Sequence, residues 1–358
     1  MLKALCQCLC LSLPLAATAQ AASVVFLNPG QPTETFWLSY SRFMQAAADD
    51  LGMTLLVEYS ERNAERALTQ ARAVLEGPQR PDYLVLVNEQ YVAPEIIRLS
   101  QGTGVKLFLV NNGLTADQTN SIKAQPGRYA QLLGTLTGND EQAGYQMLHQ
   151  MVALLPRSNE PIDLVAFAGV KTTPASQLRE QGMRRALADF PQVRLRQVVY
   201  GGWSRQRAYE QAQLLLERYP ATRLVWSAND EMAFGAMQAF EEAGRKPGRD
   251  VLFSAINSSP EALRARIDGR LSVLLGGHFT LGGWAMVMLH DDAQGLAVNR
   301  DGLREHRMPV LQPIDQAKAR RWLKLLERAD YGVDFRHYSA EGRSASYQYP
   351  FLTSPVEY

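Results

Sequence analysis

Short apolar runs alternate with longer amphipathic stretches along this chain, and the alternation runs through twice. Val24-Val25-Phe26-Leu27 reads as a buried strand. The polar and aromatic loop Asn28 to Trp37 follows, and then Tyr40, Phe43, Met44, Ala47 and Leu51 recur at helical spacing up to Gly52. Met53 to Val57 predicts a second strand, and Asn63 caps a helix that runs to Glu76 and ends at Gly77-Pro78. Tyr83 to Val87 predicts a third strand, Pro94 opens another helix, and Val105 to Val110 predicts a fourth strand. Strands separated by helices need crossover connections, so the sheet is expected to be parallel. Asn111 to Pro126, rich in Asn, Thr and Gly, is expected to be irregular.

The second series begins with Asp140, a possible cap for a helix through Leu155. Ile162 to Phe167 reads as a strand, Thr173-Pro174 as a helix start, Val193 to Tyr200 as a strand, and Ser204 as the cap of a helix to Tyr219. Leu224 to Gly244, LVWSANDEMAFGAMQAFEEAG, joins a short strand to a helix through Asn229 and Asp230. Val251 to Ile256 and Leu271 to Leu275 are further strands, and Gly276-Gly277 leads into a helix from about Thr280. The pattern predicts an α/β fold of two doubly wound parallel-sheet lobes joined by a multi-strand hinge. The crossings are expected near Leu133 to Gly138, Gly276 to Gly283 and Met308 to Pro313. The expected division is 1–22 as leader, 23–135 plus 280–308 as the first lobe, and 139–277 plus 314–358 as the second. A basic amphipathic helix, Gln316 to Arg328, is expected to dock on the second lobe, and the aromatic tail Asp334 to Tyr358 has no clear period.

Composition narrows the function. The 358 residues suffice for two cores, and a net charge of +1 gives no electrostatic case for nucleic acid or an anionic membrane as partner. Met1-Leu2-Lys3, an apolar run to Leu15 and the small residues Ala16 to Ala21 have the order of a secretory signal peptide, with cleavage after Ala19 or Ala21. The alternative, a membrane anchor, has a short run for a bilayer span. All three cysteines, Cys6, Cys8 and Cys10, lie in this leader, so the mature chain is expected to carry no disulfide and no thiol chemistry. The expected location is the periplasm.

The predicted strand ends carry amides, aromatic rings and a few charges. In the first series these are Phe36 and Trp37 after Asn28, then Asn88 with Glu89, then Asn111 with Asn112. In the second they are Arg179, Trp203, Asn229 with Asp230, Asn257 and His278. Ligands of open α/β sheets bind at this edge, and such a set suits a neutral polyol: amides bond hydroxyls in both senses while flat rings cover the apolar face of a sugar. Each residue also has an ordinary structural use. Phe36 and Trp37 fit a core, Arg179 a solvated helix face, Asn111-Asn112 a turn, and Asn229 and Asp230 a helix cap. No HExxH, GxSxG or GxxxxGK[ST] motif occurs and the histidines lack metal spacing, so neither an enzyme nor a metal or cofactor is expected.

The stretch SANDEMAFGAMQAFEEAG closely resembles the NDEMALGA segment of periplasmic sugar-binding proteins of the ribose-binding type, and from about Ser23 to Gly283 the chain is similar to the type I periplasmic binding proteins. The resemblance implies stacking roles for Phe36, Trp37 and Trp203, a ligand clamp at Arg179, and polar ligand contacts at Asn88-Glu89 and Asn229. Three departures alter the expected hydrogen-bond pattern: Asn257 where the family usually has Asp, Asn111-Asn112-Gly113 where Arg is common, and Gly277 with His278 where an amide is frequent. They imply a ligand other than standard ribose or galactose. The expected function is capture of a sugar or polyol for the permease of an ABC importer. The alternative is a sensory protein whose closed form docks on a receptor kinase or chemoreceptor.

Overall fold

The computed structural model describes residues 21–124, 126–157, 160–296, 304–344 and 346–356. The leader with its cysteines lies outside the described residues, apart from its last two positions. The first lobe is built from β1 (Ser23–Asn28), α1 (Thr35–Leu51), β2 (Thr54–Tyr59), α2 (Ala64–Glu76), β3 (Tyr83–Leu86), α3 (Ala93–Leu99), β4 (Lys106–Asn111), α4 (Ala116–Lys123) and β5 (Leu132–Gly138). The second comprises α5 (Asp140–Ala153), β6 (Ile162–Ala168), α6 (Pro174–Leu187), β7 (Val193–Tyr200), α7 (Arg205–Arg218), β8 (Leu224–Ser227), α8 (Asp230–Glu242), β9 (Leu252–Ile256), α9 (Pro260–Ile267) and β10 (Val273–Gly276). The chain then returns to the first lobe with α10 (Leu281–Ala293) and β11 (Arg304–Met308), and again to the second with β12 (Gln312–Pro313) and α11 (Gln316–Leu325).

Two six-stranded sheets result, in the orders β11-β5-β4-β3-β1-β2 and β12-β10-β9-β8-β6-β7. All pairings are parallel except that of β12 with β10. In β1 the residues alternate as a covered strand must: Val24 and Phe26 pack with Tyr40 and Phe43 of α1, while Val25 and Leu27 pack with α2 and α3 on the opposite face. Crossings between lobes follow Gly138, Gly276 and Met308, at the edge where β5, β10, β11 and β12 end.

Three elements depart from the sequence reading. The stretch after β4 contains α4, closed by a capping box between Thr115 and Gln118; only Thr119 and Ile122 of it are buried, so no apolar period announced it. Strand β11, REHRM, is an edge strand with Glu305 and Arg307 exposed, and its polarity hid it. The aromatic tail packs on the first lobe and not on the second, with which it was grouped. Phe335, Tyr338 and Phe351 gather on Trp284 of α10, and the Tyr349 hydroxyl donates to Asp291 at 2.8 Å. Its rings follow no helical or strand period because short 3₁₀ turns set them on the surface of another element. By contrast, α11 docks against α9 as its apolar face requires.

Candidate functional site

The carboxyl ends of both sheets face each other across a cavity with about 400 Å³ of empty space. Its first-lobe wall comes from the loops after β1, β2, β3 and β4, which bring Glu34, Phe36, Trp37, Arg62, Glu89, Asn111 and Asn112. The second-lobe wall comes from the starts of α6, α7, α8 and α9, which bring Thr173, Ala175, Arg179, Trp203, Asn229 and Asn257, and His278 closes the hinge end. Asn28 and Asp230 aside, all but one of the strand-end residues singled out in the sequence, ten in all, therefore meet in one place.

Asn88 is the exception. Its Nδ2 donates to the Gly113 carbonyl and to Gln118 Oε1, both at 2.8 Å, and its Oδ1 accepts from the Ala93 N–H. Both its donors and one lone pair of its oxygen are spent tying the loop after β3 to that after β4, and it does not line the cavity.

Arg179 is buried, with 4% exposure, on the inner face of α6. Its Nε donates to Asp140 at 2.7 Å and its Nη1 to the Ala228 carbonyl at 2.7 Å. The approach depends on Gly144 of α5, where an added Cβ would lie 2.0 Å from the Arg179 carbonyl oxygen. Asp140, expected only as a helix cap, is thus the counter-ion of the cleft arginine, and the cap position belongs to Asn139. The guanidinium carbon sits 5.8 Å from the Trp203 ring centre, close enough for a cation–π contact. Trp203 in turn lies where a side chain at Gly169 would stand, since a Cβ there would be 2.1 Å from its ring.

Asn229 caps α8, accepting from the Met232 N–H at 2.9 Å, and still borders the cavity. Behind it the Asp230 carboxylate accepts from Asn257 Nδ2 at 2.6 Å and Ser259 Oγ at 2.5 Å. Burial pushes the Asp230 pKa up to about 6, against the lowering effect of those hydrogen bonds. Phe36 stacks on His278 with ring centres 4.5 Å apart. Burial, with the charge of Arg179 as a second cause, holds the His278 pKa well below its ordinary value, so the ring is neutral. His278 Nδ1 and Trp37 Nε1 are buried without a protein partner.

Four wall residues were missed in the sequence, Glu34, Arg62, Thr173 and Ala175. Arg62, in the loop after β2, bridges Glu34 and Glu89. The signal is its position in the loop after the second strand, the same sheet edge that carries the other wall residues. Thr173, read only as a helix start, donates through Oγ1 to Glu89 Oε1 at 2.9 Å across the cleft. Alongside it, the Ala175 N–H donates to Asn112 Oδ1 at 3.0 Å and Gln177 Nε2 to the Tyr91 hydroxyl at 2.7 Å. The lobes are therefore closed and touch directly. Burial raises the Glu89 pKa, with Arg62 and Thr173 opposing it. Arg62, Asn111, Trp203 and Asn257 all carry positive φ, at 57°, 64°, 68° and 147°. Strained backbone gathered on one cavity is characteristic of ligand clamps.

Two α/β lobes with the strand orders β2-β1-β3-β4-β5 and β7-β6-β8-β9-β10, joined by three crossings and closing on a polar, aromatic cavity, have the architecture of the type I class of periplasmic binding proteins. The family model described as a periplasmic binding protein domain matches residues 24–297, and the chain belongs to this family, among its sugar-binding members. A solved periplasmic sugar-binding protein from Pseudomonas fluorescens is 57% identical and superposes with a TM-score of 0.84, over 92% of this chain and 98% of that one. The ribose import binding protein RbsB of Escherichia coli K12 is 22% identical over 267 residues, 74% of this chain and 82% of that protein. The galactofuranose-binding protein YtfQ of the same strain is 27% identical over a shorter stretch of 115 residues, 31% of this chain and 36% of that protein. These relatives are binding proteins and not enzymes. Among the described residues no helix is long and apolar enough to cross a membrane, and no acidic, histidine or cysteine cluster could hold a metal ion.

Proposed function

We propose that this protein captures a small neutral sugar or polyol between its lobes in the periplasm and delivers it to the permease of an ABC importer. The observation that carries the reading is the cavity wall. Phe36, Trp37 and Trp203 offer flat apolar surfaces, while Asn111, Asn229, Asn257 and Glu34 offer donors and acceptors at short range. Trp37 Nε1 and His278 Nδ1, without partners in the protein, await a hydroxyl-bearing guest. Both arginines of the wall face carboxylates, Arg62 against Glu34 and Glu89 and Arg179 against Asp140, so among the described residues of the wall no unpaired cation is offered to an anionic ligand. The ribose and galactofuranose named for its relatives are hydroxyl-rich and uncharged, which agrees with this reading. Closure over the ligand makes the shape a permease would recognise. The sensory alternative rests on the aromatic tail as a docking surface and on the altered pocket; Phe335, Tyr349 and Phe351 are buried against α10, which takes the tail away from it.

The test is a thermal-shift screen of the exported chain against pentoses, hexoses in both ring forms, and inositols, because a ligand that binds only the folded form raises the melting temperature. A shift with at least one neutral polyol, reduced in Trp203→Ala, is the expected result. Stabilisation by sugar phosphates or amino acids alone would remove the reading.

A further inference from the structure

The C-terminal segment makes a fourth passage between the lobes. Helix α11 is held on the second lobe, where Arg266 Nε donates to the Ile314 carbonyl at 3.0 Å and Gln316 Nε2 to the Ile267 carbonyl at 3.1 Å. Ten residues beyond the end of that helix, at Phe335, the chain is fixed to the first lobe. The Phe335 N–H donates to Asp50 Oδ2 at 2.6 Å, and the wholly buried Asp291 receives the Ala340 N–H at 2.7 Å and the Tyr349 hydroxyl at 2.8 Å. Phe335 itself has no exposed surface and lies 5.2 Å from Phe43 and 5.5 Å from Trp284, ring centre to ring centre.

The span between these anchors crosses at the hinge. Tyr331, buried and at a φ of 51°, packs on Phe43 of the first lobe at 5.1 Å and on Phe279 at 6.1 Å. Phe279 follows the second crossing directly and also meets Trp322 of α11 at 6.2 Å. The Trp322 ring lies 3.4 Å from where a Cβ at Gly277, the crossing residue itself, would stand. One aromatic file thus runs from the second lobe over the hinge to the first.

We infer that residues 326–344, with the Tyr349 anchor beyond them, are a strap that limits how far the cleft opens, with Tyr331 as the wedge that transmits the restraint. Opening rotates the lobes about the three crossings and would have to separate Tyr331 from Phe43 or Trp322 from Phe279. A hinge restrained in this way holds the unliganded protein nearer its closed form and lowers the ordering cost of closure.

The test needs no ligand, so it stands or falls apart from the proposed function. The chain from Ala21 onward contains no cysteine, and Gln31→Cys with Gln206→Cys would place spin labels on exposed positions of opposite lobes. Pulsed electron resonance then reads the interlobe distance in three backgrounds: the unmodified strap, a four-residue Gly-Ser insertion between the exposed Ala329 and Asp330, and Tyr331→Ala. The insertion leaves both anchors in place and slackens only the span. Longer and broader distances in both altered backgrounds, with the insertion keeping the parental melting temperature, are expected. Superimposable distributions in the three backgrounds would overturn the strap, whatever the melting temperatures do.

Discussion

The two walls of the cleft are built from the same topological position, the carboxyl ends of parallel strands, and use it in opposite ways. On the second lobe the polar groups are locked inward. Arg179 is held by Asp140 and the Ala228 carbonyl, and Asn257 by Asp230. On the first lobe they reach outward. Glu89 and Asn112 bond Thr173 and the Ala175 N–H of the opposite lobe. One wall is a pre-organised cradle whose polar groups are tied within its own lobe, while the other adds to its own Arg62, Glu34 and Glu89 bridges a latch whose bonds exist only when the lobes meet. The difference predicts which substitutions strike the fold and which strike closure.

The largest effect falls on the cradle. Arg179→Ala removes the partner of a carboxylate with 5% side-chain exposure, leaving Asp140 buried and uncompensated. Breaking a buried pair in this way costs about 3–5 kcal/mol, so the urea midpoint should drop sharply and binding be lost with it. Arg62→Ala, on the first wall and one-fifth exposed, should leave the midpoint much closer to the parent and reduce affinity instead. Equal losses of stability in the two variants would break the contrast between the walls.

Asp230 gives the next effect, through pH. Its folded pKa is raised from 3.8 to about 6 by burial, so between those values the folded chain holds a proton that the unfolded chain has released. Stability from this group is therefore present below about pH 4 and lost as pH rises through 6, a change on the order of 2–3 kcal/mol. The unfolding free energy of Asp230→Asn minus that of the parent should rise with pH across this window and be flat above it. A difference independent of pH would show that the carboxylate is not desolvated as its place beneath Asn257 demands.

Trp203→Ala tests the cradle's face instead of its frame. The ring lines the cavity and is only partly buried. Its loss should weaken sugar binding by about 2 kcal/mol, roughly thirtyfold, with little change in the urea midpoint. Calorimetry with the ligand found by thermal shift reads this directly.

How much of this arrangement the sequence disclosed follows the same division. Periodicity exposed both sheets, since buried parallel strands are continuous apolar runs and their helices carry one apolar stripe. Topology then placed the strand-end residues in the cleft without any knowledge of their contacts. What stayed hidden is whatever depends on the second partner of a polar side chain. Asn88 and Asn111 look alike in sequence, but the first is consumed by Gly113, Gln118 and Ala93 and the second faces the cavity. Arg179 read as one arginine among several on α6, and only the close approach of α5 at Gly144 shows that it is buried against Asp140. The tail was illegible because its rings answer to Trp284 and Asp291, residues on another element, and not to a period of their own.

The smallest effect belongs to the latch. Thr173→Val keeps the shape of the side chain and removes the hydroxyl that donates to Glu89 at 2.9 Å. Glu89 keeps Arg62 and Asn112 as donors, so the carboxylate is not orphaned and the cost should stay near the net worth of one hydrogen bond, about 0.5–1.5 kcal/mol. That bond spans the lobes, so the cost must fall on the closed form alone. Ligand affinity should drop by no more than about tenfold, while the unfolding midpoint of the ligand-free protein moves only as far as that protein is already closed. The strap gives this last quantity a second reading: slackening it should shrink the effect of Thr173→Val on the ligand-free midpoint, because fewer molecules then have the latch engaged. A midpoint shift that ignores the strap would mean that the latch and the hinge are independent, and that closure of the empty cleft is governed by the two walls alone.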